Sequence, residues 1–141
     1  MERFTRIVPL LKRNDPIINS LNMCSIELTN KMTNDLIDAL NCNTFISKIV
    51  LHTNRLSVES CNKLFDLLIT NPKLDHLEIV NNNIQDVSLK YLSEVLKKLP
   101  QTRSPINLSL RSNRFTYKGA EYLASALEAN APVCWLDLRY N

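Results

Sequence analysis

The sequence predicts an α/β fold, a solenoid in which short parallel strands alternate with helices, and three observations predict it. First, Leu74 to Ile84 reads L-D-H-L-E-I-V-N-N-N-I, with apolar residues at Leu74, Leu77, Ile79 and Ile84 and an asparagine at Asn82. This stretch recurs with starts at residues 18, 46, 74, 105 and 133, that is, at spacings of 28, 28, 31 and 28. Self-similarity on a period of about 20 to 50 residues is the signature of a solenoid. Second, the residues after each stretch carry apolar columns at helical spacing, in phase with the same period. Third, helix-starting and helix-ending residues bracket those columns.

Residues 1–17 are predicted to form an N-terminal capping half-repeat, and 18–141 the repeats proper, as one domain. Phe4, Ile7, Val8 and Leu11 have helical spacing, and Pro9 is expected to kink or restart the helix there. A charged outer face on such a helix suits the end of a stack. Ile18, Leu21, Met23 and Leu28 fill the apolar slots of the first repeat, but Ile26 takes the asparagine slot, so its inner turn is expected to be looser. The second repeat has Ile46, Ile49, Leu51, Asn54 and Leu56, and the third is the stretch at Leu74. In the fourth, Pro105 stands first, followed by Leu108, Leu110, Asn113 and Phe115. Val133, Leu136, Leu138 and Asn141 make the fifth.

Within a repeat, the alternation Leu77-Glu78-Ile79 puts two apolar side chains on one face and the acid on the other, as in a strand. Helices between successive strands require parallel pairing. The helix columns are Thr33, Cys61, Leu89 and Ala120; Leu36, Leu64, Leu92 and Leu123; Ala39, Leu67, Val95 and Ala126; and Leu40, Leu68, Leu96 and Leu127. Their offsets place them on one helical stripe. N-caps are expected at Ser57, Asp86 and Thr116. Helix ends are expected at Asn71-Pro72, Pro100 and Asn130-Ala131-Pro132. The longer third spacing comes from Gln101 to Ser104, which lengthens a helix-to-strand loop at little entropic cost.

The composition, 45% apolar and 22% charged over 141 residues, is that of an ordinary globular chain. A net charge of +3 without a Lys/Arg cluster and interleaved aromatics argues against nucleic acid as a partner. No run approaches the roughly 18 apolar residues of a membrane span, and the N-terminus lacks the features of a Sec signal peptide. The four cysteines, Cys24, Cys42, Cys61 and Cys134, have no C-x-x-C spacing, and are expected to be free thiols in a reducing cytoplasm. Gly119 is the one glycine, so no phosphate-binding glycine loop exists.

The pattern L-x-x-L-x-L-x-x-N-x-L followed by a helix, at 28 residues, resembles the leucine-rich repeat, specifically the long ribonuclease-inhibitor-like type, over residues 18–141. The opening N-D-P-I-I-N-S-L-N-M resembles the first repeat of tropomodulin, a leucine-rich-repeat protein that caps actin. The resemblance implies a curved stack with strands on the concave face and helices on the convex face. Asn54, Asn82, Asn113 and Asn141 are then structural, satisfying buried backbone groups between repeats.

In that geometry the concave columns are Ser20, Lys48, His76, Asn107, Trp135; Asn22, Val50, Glu78, Ser109, Asp137; and Cys24, His52, Val80, Arg111, Arg139; with Ser25, Thr53, Asn81, Ser112 and Tyr140 beside them. Candidate binding residues are Lys48, His52, His76, Glu78, Arg111, Trp135, Asp137, Arg139 and Tyr140. Trp, Tyr and Arg are enriched at interaction hot spots. No catalytic, metal or cofactor site is predicted. His52 and His76 are four positions apart along adjacent strands, roughly 13 Å, which is too far to share a metal or a proton. Glu78 and Asp137 are two strands apart, roughly 10 Å, on an open strip that cannot exclude water. Cys24 and His52 are neighbours, but their column supplies no carboxylate to orient the imidazole.

The function expected is a non-enzymatic module that holds a partner protein on the concave face. Actin-related capping, or regulation of a GTPase or nuclease, is the alternative that the resemblance implies, and a purely structural or oligomerising role is a third. The Asn, Ile and Lys content fits an AT-rich genome, and short repeats of this kind occur among effectors that intracellular bacteria secrete, so a host-cytosol effector is also expected. The fifth strand, with Leu136 and Leu138 followed by no helix of their own, is expected to self-associate or meet a partner along its edge.

Overall fold

The computed structural model describes residues 2–141. The elements run α1 (Glu2–Lys12), β1 (Ser20–Asn22), α2 (Asn30–Asn41), β2 (Lys48–His52), α3 (Val58–Thr70), β3 (His76–Val80), α4 (Asp86–Lys98), β4 (Ile106–Ser109), α5 (Tyr117–Glu128) and β5 (Val133–Asp137). The strands form one parallel sheet in chain order β1-β2-β3-β4-β5. Each predicted repeat supplies one of them, and helices form a second layer. A helix with its side chains is about 10–12 Å across, whereas paired strands are about 4.8 Å apart. The stack therefore bends with the strands inside.

The core is the seam between the layers. Leu21, Ile49, Leu77 and Leu108 point into it and are fully buried, as are Met23, Leu51, Ile79 and Leu110. From the other side Leu36, Leu64, Leu92 and Leu123 meet them, also buried. Leu127 departs from its column. It is 40% exposed, because α5 packs on a helix, α4, on one side only among the described residues.

Asparagine columns hold the inner turns. Asn82 Oδ1 accepts from Asn54 N at 2.9 Å, while its Nδ2 donates to Leu51 O at 2.6 Å and Val80 O at 2.9 Å. Asn113 repeats this one level on, accepting from Asn82 N at 2.9 Å and donating to Ile79 O at 2.7 Å. Asn141 Oδ1 accepts from Asn113 N, and Asn54 Oδ1 accepts from Ile26 N. Ile26 thus donates its amide to the ladder, but its side chain offers no acceptor to continue it.

Two local expectations need correction. Pro9 does not restart α1, which is assigned as one helix from Glu2 to Lys12, with Pro9 exposed. Asp86 is not the N-cap of α4, where Gln85 stands without a capping side chain. Its carboxylate instead reaches the next repeat, accepting from Thr116 N at 2.7 Å, Thr116 Oγ1 at 2.8 Å and Gly119 N at 3.0 Å. The insertion lies in the loop between α4 and β4 as expected, and Arg103 from it also donates to Leu68 O and, at 2.6 Å, to Leu74 O. Ser57 and Thr116 cap α3 and α5 as expected.

Candidate functional site

The sheet register sets the strand face. Lys48 pairs with His76, His76 with Asn107, and Asn107 with Trp135; in the next row Val50 pairs with Glu78, Glu78 with Ser109, and Ser109 with Asp137. These side chains alternate with the buried leucines and so point away from the helices. Val50 is nonetheless buried among its neighbours.

Glu78 sits at the middle of the strip and gathers three of the predicted residues. His76 Nε2 is 2.6 Å and Lys48 Nζ 3.1 Å from its Oε1, and His52 Nε2 is 3.2 Å from its Oε2. Partial burial alone raises the pKa of this carboxyl, but the bonds from His76, Lys48 and His52 outweigh it and hold the group below its ordinary value. This corrects the expected separation of the two histidines. Backbone spacing along the strands is large, but both side chains lean toward the carboxylate between them, and each imidazole touches one of its oxygens. It also supplies the carboxylate that His52 was expected to lack. The imidazole is drawn toward Glu78, while the Cys24 thiol donates to Asn22 Oδ1 at 2.9 Å. Cys24 and His52 are therefore engaged elsewhere rather than with each other.

A second group lies at the β4–β5 end. Arg139 grips Asp137 through Nε at 2.9 Å and Nη2 at 2.8 Å, and its backbone amide adds a third bond at 3.0 Å. Those bonds hold the buried Asp137 carboxyl down to about 2. Arg111 lies over the Tyr140 ring, 4.7 Å from its centroid, in cation–π geometry. Trp135, 46% exposed, stands two residues before Asp137 on the same strand face, and Tyr140 is 71% exposed. Large aromatic surface beside locked charges offers a partner apolar area together with fixed polar contacts.

All nine predicted binding residues thus fall on one strip in two groups, with Lys48, His52, His76 and Glu78 in one and Arg111, Trp135, Asp137, Arg139 and Tyr140 in the other. Among the described residues no group of three or more His, Cys, Asp and Glu is placed to hold a metal ion. No helix among them is long and apolar enough to cross a membrane. Absent from the predicted set are Arg55 and Arg114, which flank a polar groove at the C-terminal ends of the strands. The signal that locates them is the same register, since each directly follows an asparagine of the ladder.

A family profile described as "Leucine Rich repeat" matches residues 70–93 and 107–124. The chain is 34% identical over 122 residues to mouse "NACHT, LRR and PYD domains-containing protein 14", covering 86% of this chain and 12% of that relative. It is 34% identical over 96 residues to human "NACHT, LRR and PYD domains-containing protein 13", covering 68% of this chain and 9% of that relative. The chain therefore spans about a tenth of the length of these relatives. Among solved structures it resembles the tropomodulin C-terminal domain of Caenorhabditis elegans, at TM-score 0.78 and 17% identity over 96% of this chain and 81% of that one. It also resembles a structure of "Leiomodin-1 Actin-Binding Site 2 (ABS2)", at TM-score 0.85 and 20% identity over 96% of this chain and 78% of that one. At those identities the likeness is one of fold.

Proposed function

Because this chain is a leucine-rich-repeat protein, we propose that it acts as a protein-binding module whose partner lies on the concave strand face. The observation that carries this reading is the β4–β5 group, where Arg111 stacked on Tyr140 and the Asp137–Arg139 pair lie beside the exposed Trp135. Anchors whose rotamers are already fixed lose less entropy on binding than free ones. Catalysis finds no support in this geometry, because the strip is open and its charged groups are occupied with one another. The free thiols of Cys24, Cys42, Cys61 and Cys134 favour a reducing, cytoplasmic setting. The matched relatives are mouse and human proteins.

The test is site-specific crosslinking in cell extract from a probe placed at Asn107, which pairs with Trp135 on the neighbouring strand. It is repeated with a Trp135→Ala/Tyr140→Ala double variant and with Lys97→Ala, on the helix layer, as control. A partner captured by the wild type and by the control but lost from the double variant supports the reading. Equal capture by all three would remove the strand face from consideration. Sedimentation of the same proteins separates partner binding from self-association along β5, the other use these residues would serve.

A second reading makes actin the partner. It is favoured by the N-D-P opening and by the fold likeness to a structure described as an actin-binding site. Co-sedimentation with filamentous actin decides it: retention that the double variant loses supports actin, and no retention removes it.

A further inference from the structure

A groove lies apart from the strand-face strip and contains none of the nine residues of that strip. At the C-terminal ends of the strands, where parallel α/β sheets commonly take their ligands, a groove of about 530 Å³ runs across three repeats. Its walls include Thr53 and Arg55 from the second repeat, Asn81 and Asn83 from the third, and Ser112 and Arg114 from the fourth. The buried ladder residues Asn82 and Asn113 form the floor. The residues lining it include no carboxylate. The acid occupying the same slot in the first repeat, Glu27, lies outside the groove and makes no ion pair with Arg55 among the described residues.

What distinguishes this groove from the strip is that most donors on its walls, Asn81 apart, are uncommitted. On the strip, Lys48 is engaged by Glu78, Arg139 by Asp137, and Arg111 by the Tyr140 ring. In the groove, among the described residues, no hydrogen bond or ion pair engages the guanidinium of Arg55 or Arg114, the hydroxyl of Ser112 or the carboxamide of Asn83. Thr53 Oγ1 accepts from Asn81 Nδ2 at 3.2 Å, which leaves its own proton free to donate. Two cations, two hydroxyls and a free amide with no anion among them make a surface complementary to oxyanions. Guanidinium is the group best matched to carboxylate and phosphate, binding either in a two-pronged fork.

We propose that this groove binds an anionic peptide segment through Arg55 and Arg114, each arginine taking one phosphate or carboxylate side chain. Spacing supports a peptide with two such groups. The arginines stand two strands apart, roughly 10 Å at about 4.8 Å per strand. In a polyproline II segment, side chains three residues apart share a face at roughly 9 Å. Nucleic acid fits less well, since no aromatic ring lines the groove to stack a base.

Fluorescence polarisation with the full chain tests this, using proline-rich peptides that carry two phosphoserines, two glutamates or two serines three residues apart. The expected result is saturable binding of the phosphoserine peptide, weakened by salt and displaced by inorganic phosphate, with no binding of the serine peptide. Arg55→Ala/Arg114→Ala should lose roughly tenfold or more of that affinity with an unchanged circular-dichroism spectrum. Arg55→Lys/Arg114→Lys should fall between, keeping charge but losing the fork. Comparable binding of the glutamate peptide assigns the site to carboxylates as well, and its failure restricts the site to phosphate. Trp135→Ala/Tyr140→Ala should leave all of this unchanged, so the strand-face reading can fail without touching the groove. No binding of either anionic peptide, or equal binding by the Arg→Ala double variant, overturns the proposal. A single-stranded oligonucleotide that binds more tightly than both peptides and is lost in the double variant overturns the peptide assignment.

Discussion

At the scale of single residues, the asparagine column and the acid–base groups behave differently. The asparagines were legible in the sequence because their role is set by backbone geometry, which repeats with the period. Asn82 is fully buried and bonds to backbone on both sides. Asn82→Ala should cost roughly 1–3 kcal/mol, the penalty for buried groups left unpaired, as measured by urea melts. The Glu78 group was not legible, because Cα spacing says where a side chain starts and not where it ends. Asp137 gives the corresponding pH test. Its carboxyl titrates at about 2 in the folded chain, against about 3.9 for an unfolded aspartate. A folded pKa depressed in this way contributes stability above about pH 4, which is lost as the pH falls through about 2. Arg139→Ala should return Asp137 toward its ordinary value in a side-chain carboxyl NMR titration. An unchanged midpoint would show that Arg139 does not hold it.

Whole elements show where local sequence rules give way to neighbours. Ser57 and Thr116 cap their own helices because each follows its strand at capping distance. Asp86 looks like a cap by the same rule, yet its carboxylate serves the N-terminus of α5. A rule that scores each helix alone cannot see a cap supplied by the repeat before it. Gly119 follows from that contact. Gly→Ala inside a helix ordinarily stabilises by roughly 0.5–1 kcal/mol. Here an added Cβ would meet Asp86 Oδ1 at 2.7 Å, Leu89 Cδ1 at 2.9 Å and Phe115 Cβ at 3.0 Å. The sign should reverse: Gly119→Ala is expected to lower the melting temperature, and Asp86→Ala to lower it too by leaving the Thr116 and Gly119 amides without their acceptor. If the pair of changes together costs no more than Gly119→Ala alone, the clash with Asp86 is the cause. A melting temperature raised by Gly119→Ala would show that the interface relaxes around the methyl group.

For the whole molecule the period was almost sufficient, because in a solenoid each repeat packs only on its neighbours, so one well-read repeat implies the rest. What the period does not carry is position within the stack. Leu92 and Leu127 occupy equivalent kinds of slot in the helix stripe, but Leu92 is fully buried on α4, between α3 and α5, and Leu127 is 40% exposed on α5. Leu92→Ala removes packing shared by two interfaces and should cost roughly 2–5 kcal/mol. Leu127→Ala, at a half-open position, should stay within about 0.5 kcal/mol, as surface changes usually do. Nearest-neighbour coupling also says where the damage goes. In native-state hydrogen exchange Leu92→Ala should release the amides of α3, α4 and α5 first, with α1 and α2 following only as the whole stack opens. If α1 and α2 lose protection as early as α4 does, the five repeats open as one cooperative unit and the nearest-neighbour description does not hold for a stack this short.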